Sequence, residues 1–288
     1  MRAVLFFMVV VKRVGVKKGE GMGNGLWAAL LLLLLLVAPV VAADPGGMDA
    51  DYTRLRQRLV ARFDGERPRL WAEQVPGVKT RIAANEPVIA LTLDACGSPT
   101  GMGADTELIA FLERQRVPAT LFINARWIEP NRALFERLAA NPLFEIANHG
   151  LAHKPASVSG RSIYGLAGTA NVAELVDEIE LAARRLQQLT GRRPAFYRSG
   201  TAYYDEVAVQ LAQALGQQVA GFSILGDRGA TYSSAQVRDA LLASQAGDII
   251  IAHMNHPEAG TGQGIMAAVP LLRQRGLRFV RLSDYPLQ

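Results

Sequence analysis

The chain contains only four histidines, and they fall in two short stretches. His149 and His153 lie in NHGLAHKP, and His253 and His256 lie in IIIAHMNHP. Imidazoles four residues apart sit on one side of a helical turn, close enough to share a divalent ion. His253 could pass a proton to a leaving group; the competing reading is a satisfied core histidine. Asp94 ends the apolar run VIALTLD. A carboxylate there serves as a base, a ligand or a turn residue. Arg198 ends AFYR. A buried arginine requires a carboxylate partner, and Asp94 is the natural candidate.

These residues need a scaffold that brings distant positions together. Seven strand-like apolar runs follow one another at 88–94, 119–124, 144–148, 195–198, 219–224, 248–252 and 278–281. Between them lie amphipathic runs with helix signals. Examples are DTELIAFLERQ, opening on an Asp cap, and NVAELVDEIELAARRLQQLTG, stopping at Gly191. Such alternation predicts an α/β fold of parallel βα units. The length suits a (β/α) barrel of about seven strands, with a doubly wound open sheet as the alternative. Asp94, His149, Arg198, Asp227 and His253 each end or follow a different strand. In parallel βα folds those carboxyl ends gather on one face, where active sites are built. The long Gly/Ser-rich loop 154–169 is expected to form part of a substrate groove.

The order of these motifs resembles the polysaccharide deacetylases of the NodB-homology type, carbohydrate esterase family four. The resemblance covers roughly residues 86–284. It rests on TLDA (92–95), HGLAH (149–153), RSGT (198–201), GFSILGDRGA (221–230) and IAH (251–253), which occur in the family's order. It implies a hydrolase of non-peptide C–N bonds on a deformed (β/α) barrel, acting on N- or O-acetyl groups of a glycan. It also implies a divalent metal, usually zinc, on His149 and His153, with Asp94 as general base and His253 as general acid. Arg198 would hold Asp94 in place. Apart from the resemblance, Asp227 is read here as the residue that orients and tunes His253.

The chain departs from the family pattern at three places. Ala95 stands where the family has a carboxylate metal ligand, Gly150 replaces a Ser/Thr, and the third motif lacks its Pro-aromatic ending. For the missing ligand, Asp94 itself, Asp105, His256 and Cys96 are the candidates. Cys96 reads first as a small buried residue, and as a thiolate ligand second. Two other functions therefore compete with the deacetylase: a metal-independent C–N hydrolase on a small amide, and a non-catalytic glycan-binding protein.

Composition narrows the remaining classes. Residues 1–43 hold Arg2, Lys12, Arg13, Lys17 and Lys18 against Glu20, so nearly all of the net charge of +5 belongs to them. The rest carries no basic surface suited to nucleic acid. An apolar run from Leu26 to Ala43 ends in VVAADPGG, which reads as a secretory signal or, alternatively, a membrane anchor. The expected organisation is a signal at 1–43, a helical approach segment at 44–85 and a catalytic domain at 86–288, exported to the periplasm or cell envelope. A single cysteine excludes an internal disulfide. Nothing in the sequence sets an oligomeric state.

Overall fold

Caps and apolar periodicity produce the expected alternation of helix and strand. The computed structural model describes residues 45–288, so the expected signal at 1–43 lies outside the described residues. Helix α1 (Pro45–Phe63) comes first, followed by an irregular strap over 64–87. Next come β1 (Val88–Ala95), α2 (Thr106–Arg114), β2 (Ala119–Ile123), the one-turn α3 (Ala125–Ile128), α4 (Arg132–Ala140) and β3 (Phe144–Asn148). A small hairpin, β4 (Ser162–Ile163) and β5 (Leu166–Ala167), interrupts the pattern. The chain continues with α5 (Val172–Thr190), β6 (Phe196–Tyr197), α6 (Glu206–Ala214), β7 (Gln218–Val219) and β8 (Ile224–Leu225). It ends with α7 (Ser234–Leu242), β9 (Ile249–His253), α8 (Thr261–Gln274) and β10 (Arg278–Val280).

The helix boundaries follow from local chemistry. Asp105 Oδ1 accepts from Leu108 N at the start of α2, and Asn171 and Asp205 cap α5 and α6 in the same way. Helix α5 ends on Gly191 at φ 71°, a conformation glycine adopts without steric cost. A reciprocal Ser233–Gln236 capping box opens α7. Among the described residues, no helix is long and apolar enough to cross a membrane.

All pairings of the main sheet are parallel, and the strand order is β7-β6-β3-β2-β1-β9-β8, with β10 on the first half of β1. One difference from the sequence reading explains the shape. The run 219–224, expected as one strand, is split between β7 and β8, which occupy opposite edges of the sheet. Five residue steps span at most about 17 Å. The two edges must therefore curl toward each other, and the sheet becomes a deformed barrel.

Alternation along β1 assigns its two faces. Ile89, Leu91, Leu93 and Ala95 pack outward into the core beneath the helices, with Leu108, Leu121 and Ile250. Val88 and Ala90 face the barrel interior with Phe122, Ala147 and Ile249. Continuing that inner face along the strand leads to Thr92, Asp94 and, just past its end, Cys96.

Candidate active site

At the carboxyl ends of the strands, the inner face opens into a cavity of about 1060 Å³. Asp94, Cys96, His153 and His253 line its floor, and Lys154, Tyr164, Leu166 and Ala167 of the 154–169 loop form part of its wall. The loop therefore lies where a substrate groove was expected.

Asp94 and His253 are register partners on the adjacent strands β1 and β9. Each is held by its own buried partner. Arg198 is completely buried and donates to Asp94 Oδ1 at 2.7 Å, to Thr92 Oγ1 at 2.9 Å and to the carbonyls of Ala220 and Gly221 at 3.0 and 2.9 Å. Its guanidinium also lies 4.1 Å over the Phe122 ring. The expected Asp94–Arg198 pair is thus present, with four acceptors fixing the arginine. Across the cavity floor, His253 Nδ1 lies 2.9 and 3.1 Å from the two carboxylate oxygens of Asp227. Asp227 Oδ2 also accepts from His253 N at 2.8 Å and from Thr261 Oγ1 at 2.9 Å. Burial resists charge on His253, but the carboxylate of Asp227 and the thiolate of Cys96 outweigh it and hold the imidazole well above its ordinary pKa. Burial likewise works against charge on Asp227, and the positive His253 prevails, with hydrogen bonds from Thr261 and the Ala230 backbone, to depress the carboxyl.

The histidine pair is close, but not on a helix. His149 directly follows β3, Gly150 has φ 81° and His153 has φ 60°, so the segment is an irregular turn. The two rings meet edge-on with centroids 4.9 Å apart. Several buried groups hold this turn. Asn124 Nδ2 donates to the carbonyls of His149 and Gly150, both at 2.9 Å. Glu178, from α5, accepts from Ala152 N at 2.9–3.0 Å and from Lys154 N at 3.1 Å. A Cβ at position 150 would overlap Glu178 Oε1. Glycine thus stands at the family's Ser/Thr position because a buried carboxylate fills that space. Burial raises the Glu178 pKa, and the backbone donors and the nearby His153 offset it only in part. Neither Glu178 nor Thr261 was found from the sequence. Gly150 was the one signal that could have pointed to Glu178.

Of the candidates for the missing ligand, Asp105 is committed to capping α2, and His256 pairs with Glu258 at 2.9 Å on the cavity rim. Cys96 is a small buried residue, as expected, and it also lies beside the histidines. Donor atoms of Cys96, His149 and His153 all lie within 4.8 Å of one another. His149 Nδ1 donates to the Arg198 carbonyl at 3.0 Å, which fixes the tautomer and leaves Nε2 as the lone-pair nitrogen. His153 Nε2 is buried with no hydrogen-bond partner. An orphaned imidazole nitrogen, a tautomer-locked imidazole and a thiol at this spacing fit a divalent ion. Tyr204 and Trp127 are packing residues: both are fully buried, and Trp127 Nε1 donates to the Gly103 carbonyl at 2.8 Å.

Residues 81–220 match the family model described as polysaccharide deacetylase. No match was found among curated proteins. A wild-type CE4-family pseudoenzyme from Bacillus anthracis superposes with TM-score 0.60 at 16% identity, over 74% of this chain and 69% of its own. A peptidoglycan N-acetylglucosamine deacetylase gives TM-score 0.60 at 20% identity, over 72% of this chain and 91% of its own. A family 4 acetyl xylan esterase from Clostridium thermocellum, in complex with a cobalt ion, gives 0.56 at 20% identity, over 68% and 89%. At these identities the likeness is one of fold.

Proposed function

Because this chain belongs to the polysaccharide deacetylase family, we propose that it is an exported, metal-dependent deacetylase that hydrolyses N- or O-acetyl groups of a glycan. One observation carries the reading. Asp94 and His253 face each other across one inter-strand step, each with a dedicated buried partner, beside a metal-type donor group. His149 and His153 would hold a divalent ion, which would supply Lewis acidity for an acyl carbonyl and for water. Asp94 takes the proton of the attacking water, while Arg198 keeps its carboxylate aimed at the cavity. His253 carries its second proton on the nitrogen facing the cavity and gives it to the departing amine or alkoxide. The acyl C–N or C–O bond breaks, and acetate and the free sugar amine or hydroxyl leave. Asp227 stabilises the imidazolium until that transfer.

A binding-only descendant has no use for both a held base and a held acid. The test is acetate release from N-acetylated chito-oligosaccharides and acetylated xylo-oligosaccharides. Turnover is expected from the wild-type chain, with loss on chelation. Asp94→Asn and His253→Ala should each lower kcat by about 10²–10⁴-fold. Acetate release that persists in both variants, or in excess chelator, would overturn the proposal.

A further inference from the structure

The family ligand missing at Ala95 has not simply been lost. Ala95 points outward into the helix-covered core, where a charged ligand could not reach the cavity. One residue further on, the chain returns to the inner face, and Cys96 lines the cavity floor beside Asp94. Gly97 then turns the backbone away at φ 63°, and a Cβ there would come within 2.7 Å of Trp127 N. This tight turn fixes where the Cys96 side chain enters.

The distances match a shared ion. Cys96 Sγ lies 3.7 Å from His149 Nε2. For a tetrahedral zinc with Zn–S of about 2.3 Å and Zn–N of about 2.05 Å, the two ligand atoms stand about 3.6 Å apart. His153 supplies the third donor, and its Nε2 is buried with no hydrogen-bond partner. Asp94 is not a member of this donor group, and its Oδ1 is taken by Arg198. Its free oxygen, Oδ2, lies 3.7 Å from His149 Nε2, so the base stands against the ion site without belonging to its donor group.

We infer that Cys96 is the third metal ligand, so that the centre is a thiolate–bis-imidazole site in place of a carboxylate–bis-imidazole one. The inference takes the place of the ion from the proposed function but not the reaction. A thiolate changes the ion the site prefers. Soft sulfur favours zinc, cobalt or cadmium over magnesium, manganese or calcium. Cys96 ligates as the thiolate, its sulfur lone pair going to the metal, and any sulfur still protonated releases its proton to solvent on binding.

Cys96 is the only cysteine of the chain, so any thiolate–metal signature belongs to it. The experiment is titration of the reduced, metal-stripped full chain with cobalt(II), followed by optical absorption without substrate. The expected result is one equivalent bound, with a near-ultraviolet thiolate-to-cobalt charge-transfer band. Cys96→Asp should still bind one cobalt and keep the visible d–d bands, but lose the charge-transfer band. That retained binding shows the variant is folded. Cys96→Ala should weaken zinc binding at least about 100-fold in a competition assay. Cobalt binding without the band, no cobalt binding by the wild type, or unchanged zinc affinity in Cys96→Ala would each overturn the inference. Failed acetate release with the band intact would instead overturn the proposed function alone.

Discussion

The Asp227 carboxylate does two things for His253. It fixes the ring through Nδ1, and its charge raises the imidazole's affinity for a proton. The pair favours the protonated form of His253, and turnover should fall as pH rises through that elevated pKa. Removing the charge moves that fall downward. Asp227→Asn is expected to shift the alkaline limb of the kcat/KM profile to lower pH and to lower kcat; an unmoved limb would separate Asp227 from the acid. Arg198 makes a different prediction, one of stability. Its side chain is fully buried and the side chain of Asp94 is 3% exposed. Replacing Arg198 with methionine leaves a buried carboxylate without its counter-charge, a change that destabilises proteins by about 3–5 kcal/mol. Urea unfolding of Arg198→Met should show a loss of that size. Lysine cannot make the four forked bonds and should recover only part of it. These residue-scale features were legible in the sequence because each side chain sits at a strand end. Cys96 was not, because a single cysteine after an apolar strand has the same local pattern whether it packs or ligates. Only the outward turn of Ala95 distinguishes the two.

At the scale of elements, the turn 149–153 is shaped by α5 rather than by its own sequence. Glu178 receives its backbone amides and excludes any side chain at position 150. Gly150→Ala combines a left-handed backbone with a collision, and strain of this kind amounts to roughly 1–3 kcal/mol. For a chain of this size, Tm should fall by about 2–4 °C per kcal/mol. Glu178→Gln keeps the shape but presents an amide donor to backbone donors, so zinc affinity should drop by roughly 10–100-fold. Equal zinc affinity in Glu178→Gln and the wild type would show that the turn holds itself. The strands and helices themselves were mostly legible, since apolar runs and caps are local. The break between β7 and β8 was not. VAGFSI is continuous in apolar pattern, and what separates its ends is a sheet edge. Gly221 marks the place, where a Cβ would lie 2.7 Å from Val78 Cγ1 of the crossing strap.

On the scale of the whole molecule, that strap pairs with the C-terminal residues. Thr80 N and Arg81 N donate to the Gln288 carbonyl at 3.0 and 3.1 Å, and Gln288 N returns a bond to Arg81 at 2.9 Å. Ile82 N donates to Gly247 and Ala83 N to Pro286. Helix α1 docks through Tyr52 and Arg56 on Asp177 of α5, with Leu59 and Phe63 in the core beside α6. Removing residues 285–288 unpairs the amides of Thr80, Arg81 and Ala83 and uncovers Ile82, which is 1% exposed. The truncated chain should melt several degrees lower with its metal stoichiometry unchanged; an unaltered melting temperature would show that the strap contributes nothing. Periodicity could not reveal the strap, since its bonds join positions about two hundred residues apart.

The register of β1 against β9 also limits how the gene can drift. The proposed base and acid, Asp94 and His253, are separated by one lattice step of a parallel sheet, about 4.8 Å between backbones, whatever the loops do. Insertions between residues 95 and 249 can lengthen or shorten the rim without altering that step. A single inserted residue inside either strand turns one of the two side chains to the opposite face. Divergence should therefore accumulate as loop-length polymorphism around two strands of fixed length, consistent with a fold that persists at 16–20% identity.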